Sequence, residues 1–136
     1  MKKKHKEAIR WLLQAEQDLD DAAFNLEGQR YNIACFLAQQ SAEKMLKAYL
    51  YKKGERKVWG HSVADLVDDS KKYDKSFKSL FRIAGPLDMY YIPTRYPDGL
   101  PGGIPARVFQ EEDARKAIDM SERIMEFIKS KENFLK

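Results

Sequence analysis

The most restrictive feature of this sequence is a pair of long amphipathic segments separated by only a few residues around Gly28. In segment 6–26, apolar residues recur every three or four positions, which places them on one stripe of a helix: Ala8, Leu12, Ala15, Leu19, Ala22 and Leu26. The same rhythm runs through a second segment, from residue 31 to near residue 54: Tyr31, Cys35, Ala38, Ala42, Met45 and Tyr49. Because the link is so short, the two helices must be antiparallel. We expect Gly28 to end the first helix in the left-handed conformation.

Three further helices are predicted after this hairpin. The third covers about 62–73, where the Ser62 hydroxyl and Asp65 form a plausible N-terminal cap. The fourth covers about 75–91, and Pro86 inside it should kink or break it. The fifth covers about 111–131. The sequence therefore predicts an all-α fold, an antiparallel up-and-down helical bundle of about five helices.

Length and composition limit the class of protein. A chain of 136 residues is long enough for one domain with its own core, so we expect a single domain over residues 1–136. The chain has neither an apolar run of about 18 residues nor a signal-peptide pattern, which argues against a membrane association. A lone cysteine, Cys35, is typical of a buried thiol in a reducing cytoplasm. The net charge of +4 permits an anionic partner without requiring one.

One long segment, 93–105, has no helical pattern and holds four of the five prolines. Segments of this length without regular structure are often functional. Within and just before it, a stiffened backbone carries aromatic rings, a cation and a carboxylate, and the candidate nucleotide-binding residues here are Tyr91, Arg95, Tyr96 and Asp98. Arg95 could bind a phosphate in a bidentate manner and Tyr96 could stack on a base. Alternatively, Arg95 pairs with Asp88 or Asp98, and the tyrosines only close the end of the bundle.

The second helix carries two further candidates for contact with an anion. Gln40, Lys44 and Lys47 follow each other at spacings of four and three, so they lie on one helical face. Lys44 could meet an anion there, with Lys47 beside it. The alternative is an ordinary solvated helix face.

His61 precedes the third helix and follows a loop that carries Arg56 and Lys57. A helix N-terminus and nearby cations both disfavour the imidazolium, so a neutral imidazole could act as a base near neutral pH. The alternative is a capping or packing histidine. With one cysteine, two histidines and no Glu-x-x-His or Cys-x-x-Cys spacing, the sequence predicts no metal and no cofactor.

Four motifs together give a family resemblance. They are Phe36-x-x-Gln39-Gln40-x-Ala42-Glu43-Lys44-x-Leu46-Lys47-Ala48, Gly60-His61-x-x-x-x-Leu66, Asp88-x-x-Tyr91-Ile92-Pro93-Thr94-Arg95-Tyr96-Pro97-Asp98 and Asp113-Ala114. With these motifs the chain resembles the HEPN domain over essentially its whole length. The resemblance implies a helical bundle similar to the C-terminal domain of kanamycin nucleotidyltransferase. It also implies a homodimer and the binding of nucleotides.

The resemblance further implies a partner. Many short proteins of this kind are encoded beside a minimal nucleotidyltransferase and work with it, and some such pairs behave as toxin and antitoxin with the HEPN member as the toxin. We therefore expect a nucleotide-binding HEPN protein that acts with a minimal nucleotidyltransferase in a two-component system.

Other proteins with this fold are metal-independent ribonucleases that use an Arg-x(4-6)-His motif across a dimer interface. Here no histidine follows Arg95 at that distance, whereas Arg56 and His61 have the spacing but lie before the third helix. The first alternative function is thus a ribonuclease toxin in which His61 is the general base and Arg56 or Arg95 stabilises the charge on an RNA phosphate. The second is a structural dimerisation module.

Overall fold

The structure is a computed structural model that describes residues 2–134, with side chains from residue 5 onward. All regular elements among these residues are helical, which confirms the predicted all-α bundle. There are six α-helices in the described part of the chain: α1 (Lys2–Glu27), α2 (Tyr31–Lys52), α3 (Val63–Lys71), α4 (Phe81–Asp88), α5 (Pro105–Val108) and α6 (Glu111–Lys131). None of them is long and apolar enough to cross a lipid bilayer.

Helix α2 is the centre of the bundle, because it packs against α1, α3 and α6. The apolar stripes predicted for the first two helices are all buried or partly buried in this arrangement. Cys35 lies within the core, as predicted. Large side chains of α2 such as Leu46 and Tyr49 have almost no exposed surface, and each contributes about 1.5–3 kcal/mol of hydrophobic stabilisation. The buried faces of α2 thus reflect these three neighbours and a smaller contact with α5.

The end of α1 differs from the prediction. Gln29, not Gly28, adopts the left-handed conformation, with φ of 62°. The amide of Gln29 donates to the carbonyl of Leu26 at 3.1 Å, and the amide of Arg30 donates to the carbonyl of Asn25 at 2.8 Å. These two bonds form a Schellman motif, in which the left-handed residue comes just after the C-cap. The helix runs one residue further than predicted, so Gly28 becomes the C-cap.

The predicted fourth helix is in fact two elements. Residues Lys75–Leu80 form a 3-10 helix, and α4 begins only at Phe81 and ends at Asp88. The Asp74 carboxylate accepts from the amide of Ser76 at 2.9 Å, a local bond that favours a tight turn over an α-helix. The irregularity therefore lies before Phe81 and not at Pro86, which stays inside α4.

The long segment after α4 folds back on itself. A 3-10 turn, Pro97–Gly99, lies within it, and the short helix α5 starts at its last residue, Pro105; the sequence predicted neither. A Cβ atom at Gly99 would lie only 2.8 Å from the Cα of Pro93, so glycine is required where the two limbs of this loop meet.

Candidate functional site

Asp88, the last residue of α4, ties this helix to the start of α3. Its carboxylate accepts the hydroxyl of Ser62 at 2.7 Å, the amide of Val63 at 2.6 Å and the amide of Ala64 at 3.1 Å. Amides at a helix N-terminus have no partner inside the helix and attract negative charge. The predicted cap is also present, since Ser62 accepts from the amide of Asp65 at 3.0 Å. The role of Asp88 could not be predicted, because it joins residues 25 positions apart.

The loop after α4 is held against α2 by Thr94. This side chain is buried, and its hydroxyl donates to the carbonyl of Tyr90 at 2.6 Å. The carbonyl of Thr94 in turn accepts from the side-chain amide of Asn32 on α2 at 3.0 Å. The neighbouring residue, Arg95, is therefore presented from a fixed backbone.

Arg95 lies on an aromatic row that crosses the end of the bundle. Its guanidinium carbon is 4.7 Å from the centre of the Phe36 ring. Phe36 stacks on Tyr91 with 6.2 Å between ring centres, and Tyr91 stacks on His61 with 5.2 Å. Such contacts contribute about 0.5–1.5 kcal/mol each beyond the burial of area. We call Arg95, Phe36, Tyr91 and His61 the ring row.

The cation of the ring row has no carboxylate partner. No acidic oxygen of the described residues lies within 4.0 Å of the Arg95 guanidinium, although eleven other ion pairs form. The alternative in which Arg95 pairs with Asp88 or Asp98 is therefore wrong. The Asp88 carboxylate instead accepts hydrogen bonds at the start of α3, and the side chain of Asp98 is exposed in the 3-10 turn.

A buried carboxylate, that of Glu43, lies beneath His61. The Glu43 side chain is 3% exposed, and its Oε1 atom lies 3.4 Å from Nδ1 of His61. Its Oε2 atom lies 3.3 Å from the ammonium of Lys47, whose side chain is only 7% exposed. Gln39 adds a further constraint, because its amide donates to the carbonyl of His61 at 2.9 Å. His61 is thus held by its ring and by its backbone, while most of the side chain stays open to solvent.

The predicted site residues fall into three groups. The first group, Arg95, Tyr91 and His61, is brought together in the ring row. In the second, the ammonium of Lys47 pairs with Glu43, and that of Lys44 pairs with the nearly buried carboxylate of Asp18 at 2.5 Å. The third group is exposed around the site and makes no side-chain hydrogen bond or ion pair within the described residues: Arg56, Tyr96 and Asp98.

Two hollows open beside His61. One, of about 330 Å³, is lined by Ser62, Asp88 and Tyr91 together with His61. The other, of about 390 Å³, is mostly aromatic and basic, and is lined by Trp11, Lys47, Tyr51, Lys57, Val58, Trp59, Gly60 and His61. Trp11 stacks on Tyr51 with 5.7 Å between ring centres, whereas Trp59 is largely exposed. These rings were not predicted, although a tryptophan within a basic loop was a signal for them.

Chemically, the ring row offers a fixed cation beside flat aromatic surfaces. This combination suits a ligand that has both an anionic group and a planar ring, since the guanidinium can bind the first and the rings can stack on the second. Among the described residues, no group of three or more potential ligand side chains could hold a metal ion.

Comparison with known proteins gives a consistent result. The model of the HEPN domain family matches residues 8–131. TT1696 from Thermus thermophilus is 40% identical, with a TM-score of 0.87 over 93% of this chain and 98% of that one. ST0689, an archaeal HEPN homologue, is 34% identical, with a TM-score of 0.76 over 92% and 97%.

A HEPN domain protein from Thermotoga maritima, TM0613, is 30% identical, with a TM-score of 0.70 over 89% of this chain and 95% of that one. No curated protein matches the chain.

Proposed function

This chain belongs to the HEPN family, and we propose that within it the chain is a nucleotide-binding protein that works with a minimal nucleotidyltransferase. The observation that carries the proposal is the Arg95 guanidinium, which lies 4.7 Å from the Phe36 ring centre and has no carboxylate within reach in the described chain. Since charges of the chain itself neutralise Lys44 and Lys47, Arg95 is the cation of the predicted site that is both held in place and free for an external anion.

In the proposed complex, a phosphate of the nucleotide binds the guanidinium of Arg95. The base stacks on the ring row at His61, whose side chain is 61% exposed, while the exposed Tyr96 follows Arg95 in the chain. A charge-assisted hydrogen bond contributes about 1.5–3 kcal/mol and a stacked base about 1–3 kcal/mol. Together these terms correspond to a dissociation constant of about 0.04–15 mM. Asp98 would lie at the rim of the site and disfavour ligands with additional negative charge on that side.

The partner and the setting are part of the same proposal. The relevant motifs of the chain are those of short HEPN proteins that pair with minimal nucleotidyltransferases, and the Tyr91–Asp98 string is the most specific of them. A nucleotide held at the exposed end of the bundle would be accessible to such an enzyme. We propose a homodimer that acts with this partner in a cytoplasmic two-component system of the toxin–antitoxin kind.

Thermal unfolding with added nucleotide tests the proposal. ATP or GTP at millimolar concentration should raise the melting temperature of the wild-type chain by mass action. The variant Arg95→Ala should lose this shift. The control is Arg123→Ala, which removes an exposed arginine that pairs only with Asp119 on α6 and should keep the shift. A wild-type chain without any response, or an equal response in Arg95→Ala, would refute nucleotide binding at this site and favour a structural dimerisation module.

A metal-independent ribonuclease is the second candidate, favoured by the contact of His61 with Glu43. A base whose second nitrogen faces a buried carboxylate is the usual arrangement for proton transfer, because the carboxylate orients the ring. Here Nδ1 faces Glu43 at 3.4 Å, which leaves Nε2 for a substrate hydroxyl. Arg95, or Arg56 in the preceding loop, would stabilise the phosphate charge.

Incubation with mixed RNA in EDTA separates the two functions. A ribonuclease would cleave the RNA without metal, and His61→Ala would abolish the cleavage. His5→Ala, which changes the other histidine, is the matched control. If RNA stays intact with the wild-type chain, the ribonuclease function is excluded and the binding function is unaffected.

A further inference from the structure

The larger of the two hollows beside His61 meets the proposed nucleotide complex only at that residue. We call it the Trp59 hollow. Its volume is about 390 Å³, and three aromatic rings and two lysines contribute to its lining: Trp11, Tyr51, Trp59, Lys47 and Lys57. Both tryptophans of the chain therefore lie in one hollow. Aromatic rings gathered around a concave surface are typical of a ligand site.

The inner wall of the Trp59 hollow is rigid. Trp11 stacks on the buried Tyr51 with 5.7 Å between ring centres, and its indole nitrogen donates to the Glu7 carboxylate at 3.1 Å. The Tyr51 hydroxyl accepts from the amide of Val58 at 3.2 Å, so it joins this wall to the loop before α3. The Trp11 ring therefore has a fixed place before any ligand binds.

The outer wall is an exposed ring on an anchored backbone. The Trp59 side chain is 76% exposed, although the chain is held on both sides of it. On one side the amide of Val58 bonds to Tyr51, and on the other the carbonyl of His61 accepts from the side-chain amide of Gln39 at 2.9 Å. A large ring that is left in water on a fixed backbone is typical of a binding surface, because a ligand can cover it at little ordering cost.

The charge available at the Trp59 hollow is positive. The ammonium of Lys57 lies 5.6 Å from the centre of the Trp59 ring, and no carboxylate of the described residues lies within 4.0 Å of it. The ammonium of Lys47 lies 5.3 Å from the centre of the Trp11 ring, but Glu43 neutralises it. Because a lysine already faces each tryptophan, the hollow suits a planar ligand with negative charge and disfavours a cation.

The Trp59 hollow and the ring row meet at His61. This residue stacks on Tyr91 within the row, with 5.2 Å between ring centres, and it also lines the hollow. The smaller hollow, of about 330 Å³, lies on the Tyr91 side of the same residue. Sites for small molecules have volumes of about 300–1,000 Å³, so each hollow is at the lower end and suits one flat ring system. A base stacked on His61 therefore borders on a second aromatic site of similar size.

We propose that the ligand has two nucleobases joined through phosphate, and that the Trp59 hollow binds the second base. The first base and its phosphate bind at His61 and Arg95, so this inference rests on the proposed function and specifies its ligand class. The second base stacks on Trp59, with Trp11 on the inner side of the hollow, and Lys57 supplies a positive charge beside it. Two kinds of molecule have this chemistry, a small dinucleotide and the end of a single-stranded RNA.

Comparison of AMP with the dinucleotide ApA, its 2′-hydroxyl methylated to prevent cleavage, tests the proposal. In calorimetric titrations, the wild-type chain should bind ApA about 5- to 150-fold more tightly than AMP, because ApA stacks one more base. Trp59→Ala should lose this advantage and keep its affinity for AMP. Phe24→Ala, which removes another strongly exposed aromatic ring that does not line the hollow, is the matched control and should keep the advantage.

The outcomes separate this inference from the proposed function. If ApA binds no more tightly than AMP and Arg95→Ala weakens both, the nucleotide site at the ring row is upheld and the two-base ligand is refuted. If Trp59→Ala weakens AMP as much as ApA, the hollow is itself the site of a single nucleotide, which also overturns the inference. If neither ligand binds the wild-type chain, both proposals fail.

Tryptophan fluorescence gives a readout that is specific to the hollow. Since both tryptophans of the chain line it, a base that stacks there should quench the emission. ApA should quench it in a saturable manner, and AMP should quench it far less. ApA that binds without quenching would place the second base elsewhere and overturn the proposal.

An oligonucleotide distinguishes the two kinds of ligand. Oligo(A) of about eight nucleotides, methylated in the same way, extends beyond two bases. Much tighter binding of oligo(A) than of ApA would assign the site to a single strand, and equal binding would assign it to a dinucleotide. Both results require quenching that is lost in Trp59→Ala, and quenching by oligo(A) that persists in this variant would contradict the site.

Discussion

The guanidinium of Arg95 lies 4.7 Å from the ring centre of Phe36, so a residue of the loop after α4 is positioned by a residue of the central helix α2. The contact explains how a segment with little regular structure presents a cation in a defined place. The backbone beside it is anchored by Thr94, and the next ring along, that of Tyr91, stacks on Phe36. The ring row therefore belongs to the rigid bundle, which reduces the ordering cost of binding.

Replacement of Asp88 should destabilise the fold. Asp88→Ala removes the acceptor of the Ser62 hydroxyl and of two amides at the start of α3, so we expect a loss of about 1–3 kcal/mol in the free energy of unfolding. Asp98→Ala removes an exposed carboxylate without a hydrogen bond in the described chain, so it should change the free energy of unfolding by less than about 0.5 kcal/mol. Urea unfolding of both variants checks this, and equal effects would contradict it.

The buried pair of Glu43 and Lys47 should show strong coupling. Glu43→Leu alone leaves the ammonium of Lys47 buried without its partner, with an expected loss of about 3–5 kcal/mol. The double variant Glu43→Leu with Lys47→Met removes both charges and should be more stable than this single variant. Chemical denaturation gives both values. A double variant that is less stable than Glu43→Leu would show that the pair is not coupled as the structure indicates.

Stability should decrease at alkaline pH in part because of Cys35. Burial, with a smaller effect of Asp113, raises the pKa of this thiol from 9.0 to about 12. The unfolded chain then loses the thiol proton at lower pH than the folded chain. The contribution of Cys35 to the free energy of unfolding is therefore complete below pH 9 and is lost as the pH rises towards 12. Cys35→Ala should reduce the slope of the free energy of unfolding against pH by up to about 1.4 kcal/mol per pH unit.

Unfolding free energies of wild type and Cys35→Ala at about pH 8 and about pH 10.5 check this difference. Tyr49, whose pKa is also raised to about 12 by burial, is present in both chains and contributes to the remaining slope, together with Tyr73 and Tyr90, whose pKa values are raised as well. Parallel pH profiles for the two chains would contradict the prediction.

The left-handed residue at the end of α1 can be tested by paired substitutions. Gln29→Gly should stabilise the chain by about 0.5–1 kcal/mol, because glycine adopts a positive φ without steric cost. Gly28→Ala should be almost neutral, since the added Cβ atom would have ordinary contacts of 3.6 Å or more and φ is not positive. If Gly28→Ala is instead the variant that costs about 1 kcal/mol, Gly28 and not Gln29 supplies the left-handed conformation.

The helices that the sequence predicted well are those whose apolar periodicity is long and regular. The predicted bounds of α6 are those observed, and α1 and α2 differ only at their ends. The division before Phe81 was not predicted, because two local bonds, from the amide and the hydroxyl of Ser76 to the Asp74 carboxylate, compete there with the helical pattern. The left-handed conformation of Gln29 was not predicted, because Gly28, one residue earlier, was the more obvious candidate for it.

For the candidate site, the motifs identified Arg95, Tyr91 and His61, which the fold does bring together. The pairing of Lys44 with Asp18 and of Lys47 with Glu43 required knowledge of which residues are buried. Phe36 belongs to one of the quoted motifs, but nothing in the sequence indicated that its ring contacts Arg95. The part of the ring row that depends on contacts between distant segments was therefore beyond sequence reasoning.

The most direct test of the central claim is a proton NMR titration of the two histidines with ATP or GTP. His61 stacks on Tyr91 in the ring row, whereas the ring of His5 lies 3.1 Å from the ammonium of Lys52, outside the row. A nucleotide bound at Arg95 should shift the imidazole resonances of His61 in a saturable manner, leave those of His5 unchanged, and have no effect in Arg95→Ala. Resonances of His61 that do not move at millimolar nucleotide, or that move only as much as those of His5, would contradict the account.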